Sequence, residues 1–316
     1  MVQFRVLPQH NDVGFMNNRQ RILATIIYAD IFEYPLTLRE VMYWLPFVTR
    51  EKTKVQTVVR ELVNAQILTM KQGYLYLYDR QKLPRLRAER EISSGEKMVV
   101  ATRAAKILSR IPTVECIGVT GGVSMNNANS ADDIDICIIA SDHTVWMTRL
   151  LATLIFDIKH IRRKPKDNEV KDKICLNMFW SKNSNPVSVY DWYTAHEILQ
   201  MRVLFDRRDA LRTFFSLNEW VKPLFPRAWQ ERMNEVRKSF NNTTVMDRIY
   251  ILFFRIFEPI VYIFQLVIMH SKRTTEVITR ECIRFHPKDS RPKVSQIFQK
   301  RLRAHHVPLD KYFFHP

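Results

Sequence analysis

Apolar residues at Ile22, Leu23, Ile26, Ile27 and Ile31 recur three and four apart. That spacing lines one face of a helix and predicts one over 19–32. Thr37 with Glu40 three residues on is a capping-box pattern, so a second helix starts there with Val41, Trp44 and Leu45 inward. Val55, Val59, Leu62 and Val63 predict a third helix over 52–66. Two short β-prone runs, ILTMKQ and YLYLY, then flank Gly73 and predict a hairpin. From 81 to 111 the chain is helical and rich in charge, with Ser93-Ser94-Gly95 the expected break.

Farther on the pattern changes. Residues 114–119 and 134–139 are β-branched apolar runs of strand length, and 174–180 and 187–190 supply a third and a fourth strand candidate. Residues 143–158 read as an apolar helix, and everything after 191 as helices punctuated by Pro223, Pro226, Pro259, Pro287 and Pro292. The expected fold is α+β in four parts: a three-helix and hairpin module at 18–80, a helical connector at 81–113, a small mixed-sheet core at 114–205, and a helical carboxy-terminal domain at 206–316. Residues 249–269 have the length of a membrane span, but Arg255, Glu258, Pro259 and Gln265 interrupt them. Charges at a helix centre are costly in lipid. A buried helix, or two broken at Pro259, is therefore expected, and membrane association is not.

Composition adds a partner class. The chain is 46% hydrophobic and 26% charged, which excludes extensive disorder, and its formal charge is +17. Residues 1–110 hold 18 Lys/Arg against 10 Asp/Glu, and 271–316 hold 11 against 4, whereas 111–270 are nearly balanced. Basic flanks around a neutral centre point to anionic partners. The four cysteines, at 116, 137, 175 and 282, form no CxxC pair, and His286, His305 and His306 lack zinc-ligand spacing with any of them. A reduced, cytoplasmic protein is expected, since MVQFRVLPQHNDVG carries no signal-peptide pattern.

The candidate chemistry lies in GVTGGVSMNNANSADDIDICIIA, residues 118–140. A strand ends in Gly121-Gly122, a polar turn follows, and Asp133-Ile134-Asp135 opens a new strand. Residues two apart in a strand face the same side, so the two carboxylates are presented together. Such a pair repels unless cations hold it, and Mg²⁺ favours carboxylate and phosphate oxygens. The glycines let backbone approach a phosphate closely, with Ser124 and Asn126 as further donors.

This stretch resembles the signature of the DNA polymerase β nucleotidyltransferase superfamily, in its minimal form. The resemblance implies a Mg²⁺-dependent transfer of a nucleoside monophosphate from a nucleoside triphosphate. Asp133 and Asp135 would be the catalytic, metal-holding residues for two ions, and Gly121, Gly122, Ser124 and Asn126 the nucleotide-binding ones. It also implies a third carboxylate on a later strand, yet KICLNMFW at 173–180 holds none, leaving Asp172 just before it and Asn177 within it as substitutes. The basic segment 159–173 is either a contact to substrate or a solvated loop. His196 and Glu197 either reach the site or pack at a helix start.

The order of elements at 18–80 resembles a winged helix. That likeness implies a recognition helix offering Lys52, Lys54, Thr57, Arg60 and Asn64, with Lys52, Lys54 and Arg60 as nucleic-acid contacts. The phrases CLNMFWS, YTAHEILQM and FHPKDSR are similar to an uncharacterised prokaryotic group of predicted nucleotidyltransferases carrying such a module. A second function fits these observations, a non-catalytic, nucleotide-sensing regulator that binds nucleic acid, and a third, less favoured one is a membrane-peripheral enzyme held by residues 249–269 and the basic tail.

Overall fold

The computed structural model describes residues 16–47, 52–164, 167–184, 187, 189–236, 244–270, 277–284 and 290–309, and it is mixed α+β with two sheets. The first part runs α1 (Asn18–Ile31), β1 (Leu36–Thr37), α2 (Leu38–Tyr43), α3 (Lys52–Asn64), β2 (Leu68–Lys71) and β3 (Tyr74–Leu77). Thr37 caps α2 as its sequence predicts: its Oγ1 accepts from the Glu40 amide, and Glu40 accepts the Thr37 amide at 2.8 Å. Gly73 turns β2 into β3 at φ +81°, a conformation that favours glycine. β1 adds to β3 on its other side, a pairing too short for periodicity to reveal.

α4 (Leu83–Leu108) is one unbroken helix, against the expected break at Ser93-Ser94-Gly95. Packing overrides propensity there. Ser94 is fully buried, and its hydroxyl accepts the Ala128 amide at 2.9 Å. Three residues on, buried Lys97 donates to the carbonyls of Ser130 and Asp132 and to the Asp172 carboxylate. α4 therefore fixes the loop that leads into the aspartate motif.

The core follows as β4 (Val114–Val119), α5 (Gly121–Ser124), β5 (Ile134–Ala140), α6 (Val145–Ile158), β6 (Ile174–Ser181), α7 (Trp192–Gln200) and β7 (Arg202–Asp206). After it come α8 (Ala210–Leu217), α9 (Val221–Leu224), α10 (Pro226–Val236), α11 (Val245–His270), β8 (Val277–Ile278), β9 (Cys282–Arg284) and α12 (Arg291–Ala304). The large sheet has the order β7-β4-β5-β6-β9-β8, parallel only between β5 and β6. β4 and β5 are central, which is why their apolar runs are almost wholly buried on both faces.

Three expectations need correction. Val187, Val189 and Tyr190 carry no strand; the further strand is β7, whose RVLFD is half-buried throughout and flanked by charge, so it lacks an apolar signature. The region after 206 is not entirely helical, since β8 and β9 extend the core sheet beside β6. Strands of two and three residues are below what a pattern can reveal. Finally, residues 249–269 are neither buried nor broken: α11 runs through Pro259, with most of its large apolar side chains exposed.

The amino-terminal module is clamped to the core. Arg87 of α4 pairs with both Glu40 oxygens at 2.8 Å and lies over the Tyr34 ring. Arg90 bridges Glu33 and the Phe32 carbonyl to Asn127 and Asn129 of the core. Tyr28, Trp192 and Phe298 join α1, α7 and α12 in one aromatic cluster.

Candidate active site

β5 begins at Ile134, with Asp133 just before it and Asp135 within it. Ile134, Ile136 and Ile138 are buried without residue, so the strand that carries the carboxylates is anchored in the core. Ligand atoms of Asp133, Asp135 and Cys175 lie within 4.8 Å of one another. Gly121 stands against this pair at φ +65°, and a Cβ there would meet Asp135 Oδ2 at 2.9 Å. Only glycine satisfies both demands. At Gly122 a Cβ would meet the Ala128 Cα at 3.3 Å, so the second glycine answers close backbone packing.

The other expected phosphate donors are placed differently. Ser124 is buried, and its hydroxyl donates to the Gly121 carbonyl at 2.8 Å, which tightens the glycine turn. Asn126 takes a left-handed conformation at φ +55° where that turn ends. Its neighbour Asn127 lines the cavity instead, and donates to the Phe32 carbonyl at 2.9 Å. Thr120, which sequence reasoning passed over, lines the cavity just before Gly121. Its hydroxyl is buried without a hydrogen-bond partner among the described residues.

The strand next to β5 brings no acid to the cavity. In the β5–β6 register Asp135 faces Cys175, whose thiol burial pushes well above the usual range, with Asp135 adding to the effect. Asn177 is buried and lines the cavity, whereas Asp172 is held by Lys97 at 2.7 Å. The further acid comes from a helix. Glu197 on α7 lines the cavity with Asp135, and burial followed by the Asp135 charge pushes its pKa up to about 7. Asp135 itself is pushed up to about 6, by burial and then by Asp133. Against these acids stands Arg163, from the basic segment after α6, donating to Asp133 Oδ2 at 2.7 Å.

The cavity measures about 470 Å³ and reaches from the carboxylates to Tyr28, Trp44 and His196. His196 lies stacked between Tyr28 and Trp44, at 4.2 and 4.6 Å between ring centroids. Burial lowers its pKa to about 3, so it is a neutral ring in an aromatic wall. Asp191 caps α7 through the Thr194 amide at 2.8 Å, and the helix so fixed turns Glu197 and His196 towards different parts of one cavity. Lys54, Thr57, Arg60 and Asn64 are exposed on α3, outside this cavity. The Lys52 side chain and His286 lie outside the described residues. Comparison with family models, with curated proteins and with solved structures finds no match for this chain.

Proposed function

We propose that this chain is a Mg²⁺-dependent nucleotidyltransferase that moves a nucleoside monophosphate from a nucleoside triphosphate to an acceptor hydroxyl. One observation carries the reading: Asp135, with Asp133 and Cys175 beside it, lines a ligand-sized cavity together with Glu197 and a glycine that has no room for a side chain. Asp133 raises the pKa of Asp135, and Asp135 that of Glu197; acids crowded in this way gain by taking up cations. The donor set is oxygen-rich and suits Mg²⁺, with Asp133 and Asp135 as the holding residues and Glu197 supplying the third acid. Bound cations would lower the cost of deprotonating the acceptor and neutralise the leaving pyrophosphate. The chain's own part is placement: Gly121 admits phosphate beside Asp135, Thr120 offers its hydroxyl, and the Tyr28, Trp44 and His196 rings form an apolar wall.

The module at 18–80 has the element order of a winged helix, and exposed Lys54 and Arg60 offer it nucleic-acid phosphate contacts. A regulator that senses nucleotide without turnover is the second reading, favoured by Arg163 on Asp133 and by Cys175 opposite Asp135. The deciding experiment incubates the protein with each α-³²P-labelled nucleoside triphosphate, Mg²⁺, cell RNA and cell protein. Label transferred by the wild type and lost in Asp133→Ala/Asp135→Ala supports the enzyme. Intact nucleotide binding without transfer, joined to salt-sensitive nucleic-acid binding that the substitutions spare, supports the regulator.

A further inference from the structure

α11 is built inside out. Its polar residues, the ones that argue against lipid when the sequence is read alone, all point towards the protein. Glu258 accepts the amides of Trp146 and Met147 at 2.8 Å each and so caps the first turn of α6 from a distance. Gln265 donates to the Trp146 carbonyl at 2.8 Å and accepts from Arg149. Arg255 donates to the Asp142 carbonyl at 3.0 Å. The apolar side chains are left outside: Leu252, Ile256, Ile260, Ile263, Phe264 and Val267 are each more than half exposed. Only 17% of the most apolar window of this helix is buried, so it is not the core helix of a globular domain.

From these facts we infer that α11 docks the protein onto an anionic lipid bilayer, lying in the plane of the membrane surface. The outward face argues for lipid over a protein partner. Protein interfaces carry roughly one hydrogen bond per 100–200 Å² and a polar rim. This face runs some 39 Å at 1.5 Å per residue over 26 residues. Between Phe253 and Val267 the large side chains it exposes are hydrocarbons apart from Arg255, whose guanidinium donates to the Asp142 carbonyl. Hydrocarbon asks for no such group, and its contact is non-directional. The orientation follows from the same contacts. Glu258, Gln265 and Arg255 tie one side of the helix to α6 and the loop before it, so α11 cannot cross a bilayer without dragging that domain in.

Charge completes the fit. Residues 237–284 hold eight Lys/Arg against four Asp/Glu, within a chain of net charge +17. Among the described ones, Arg248 is exposed one turn into the helix, and Arg280 lies 5.5 Å over the Tyr262 ring. Each basic residue near an anionic surface adds about 1 kcal/mol of attraction.

The test floats the purified full chain with vesicles of phosphatidylcholine, with and without phosphatidylglycerol. The wild type is expected to float with the anionic vesicles, less with neutral ones, and less again at high salt. Ile256→Glu, Ile260→Glu and Phe264→Glu should each weaken partition by about tenfold or more, since each removes a buried apolar side chain from lipid. These positions are exposed, so circular dichroism and unfolding should match the wild type, and Ile92→Glu on α4 should float unchanged. Failure of the wild type to float with either vesicle overturns the proposal. So does flotation that the three substitutions leave intact, or a solution dimer that they dissolve in the absence of vesicle binding. Retention through an alkaline carbonate wash overturns the in-plane geometry, because only a crossing helix resists it.

Discussion

Glu197→Gln removes a buried charge from the wall of the proposed cation site. The native pKa of Glu197 is raised from 4.5 to about 7 by burial and by Asp135. Below about pH 4.5 the folded and unfolded chains both hold this proton, and stability does not depend on it. Between about 4.5 and about 7 the folded chain holds more proton than the unfolded one, so stability falls as pH rises. Above 7 the loss is complete. Each pH unit of that window costs about 1.4 kcal/mol, for a total on the order of 3 kcal/mol. Glu197 keeps some contact with the open cavity, so the figure is an upper bound. Part of it is the Asp135 charge, the smaller of the two causes.

Replacing the carboxyl by an amide of the same shape removes the penalty without opening a cavity. Glu197→Gln should therefore unfold at higher denaturant than the wild type at about pH 8, and at nearly the same concentration at about pH 4.5. Adding Mg²⁺ at the higher pH should stabilise the wild type more than the variant, because the cation relieves a repulsion that the variant lacks. Chemical denaturation followed by tryptophan fluorescence, in chelated and Mg²⁺-supplemented buffers, reads all three. An equal difference between the proteins at both pH values would refute the reasoning, since neither burial nor the Asp135 charge would then raise the Glu197 pKa on folding.

Other substitutions test the remaining parts. Gly121→Ala should cost about 1–3 kcal/mol in unfolding free energy from the left-handed backbone alone and abolish nucleotide binding by calorimetry, whereas Gly95→Ala, with open space around its Cβ in mid-helix, should stabilise by up to about 1 kcal/mol. Lys97→Met should destabilise by about 3 kcal/mol, at the low end for a broken buried ion pair because Asp172 is partly exposed. It should also weaken nucleotide binding, because the loop into Asp133 loses its anchor. His196→Phe should flatten the acid limb of stability measured by thermal unfolding: the wild-type histidine is neutral down to about pH 3 when folded but protonates near 6.5 when unfolded, so stability drains as pH falls through that range.

What the sequence disclosed follows the size of the signal each element leaves. β4, β5 and β6 are long, apolar and central, and their boundaries were legible to within a residue. The Thr37 and Gly73 signals were equally local: a cap and a turn are written in adjacent residues. β7 and the β8–β9 pair were not legible, because short or half-buried strands gain their stability from a neighbour that the local pattern does not name. The same limit left open whether Glu197 reaches the site or packs at its helix start. A strand-borne carboxylate was the expectation, but the position beside Asp135 is filled by Cys175, and the acid reaches the cavity from α7. Helix and strand approach the site from different directions, and only tertiary packing brings Glu197 to Asp135.

α11 sharpens the point, because there the local pattern was present and predicted a buried helix, whereas the helix lies largely exposed. Arg255, Glu258 and Gln265 are polar interruptions in an apolar run, and counting them argues for a buried soluble helix. Their positions matter more than their number. Glu258 and Gln265 lie seven residues apart, two helical turns, and Arg255 lies one turn before Glu258, so all three share one side. That side meets the exposed amides and carbonyls at the start of α6, where a carboxylate offsets the helix dipole and costs nothing in lipid. Once the polar groups are assigned to the protein, the apolar remainder has no partner among the described residues. The inference of a membrane surface therefore rests on the interruptions themselves.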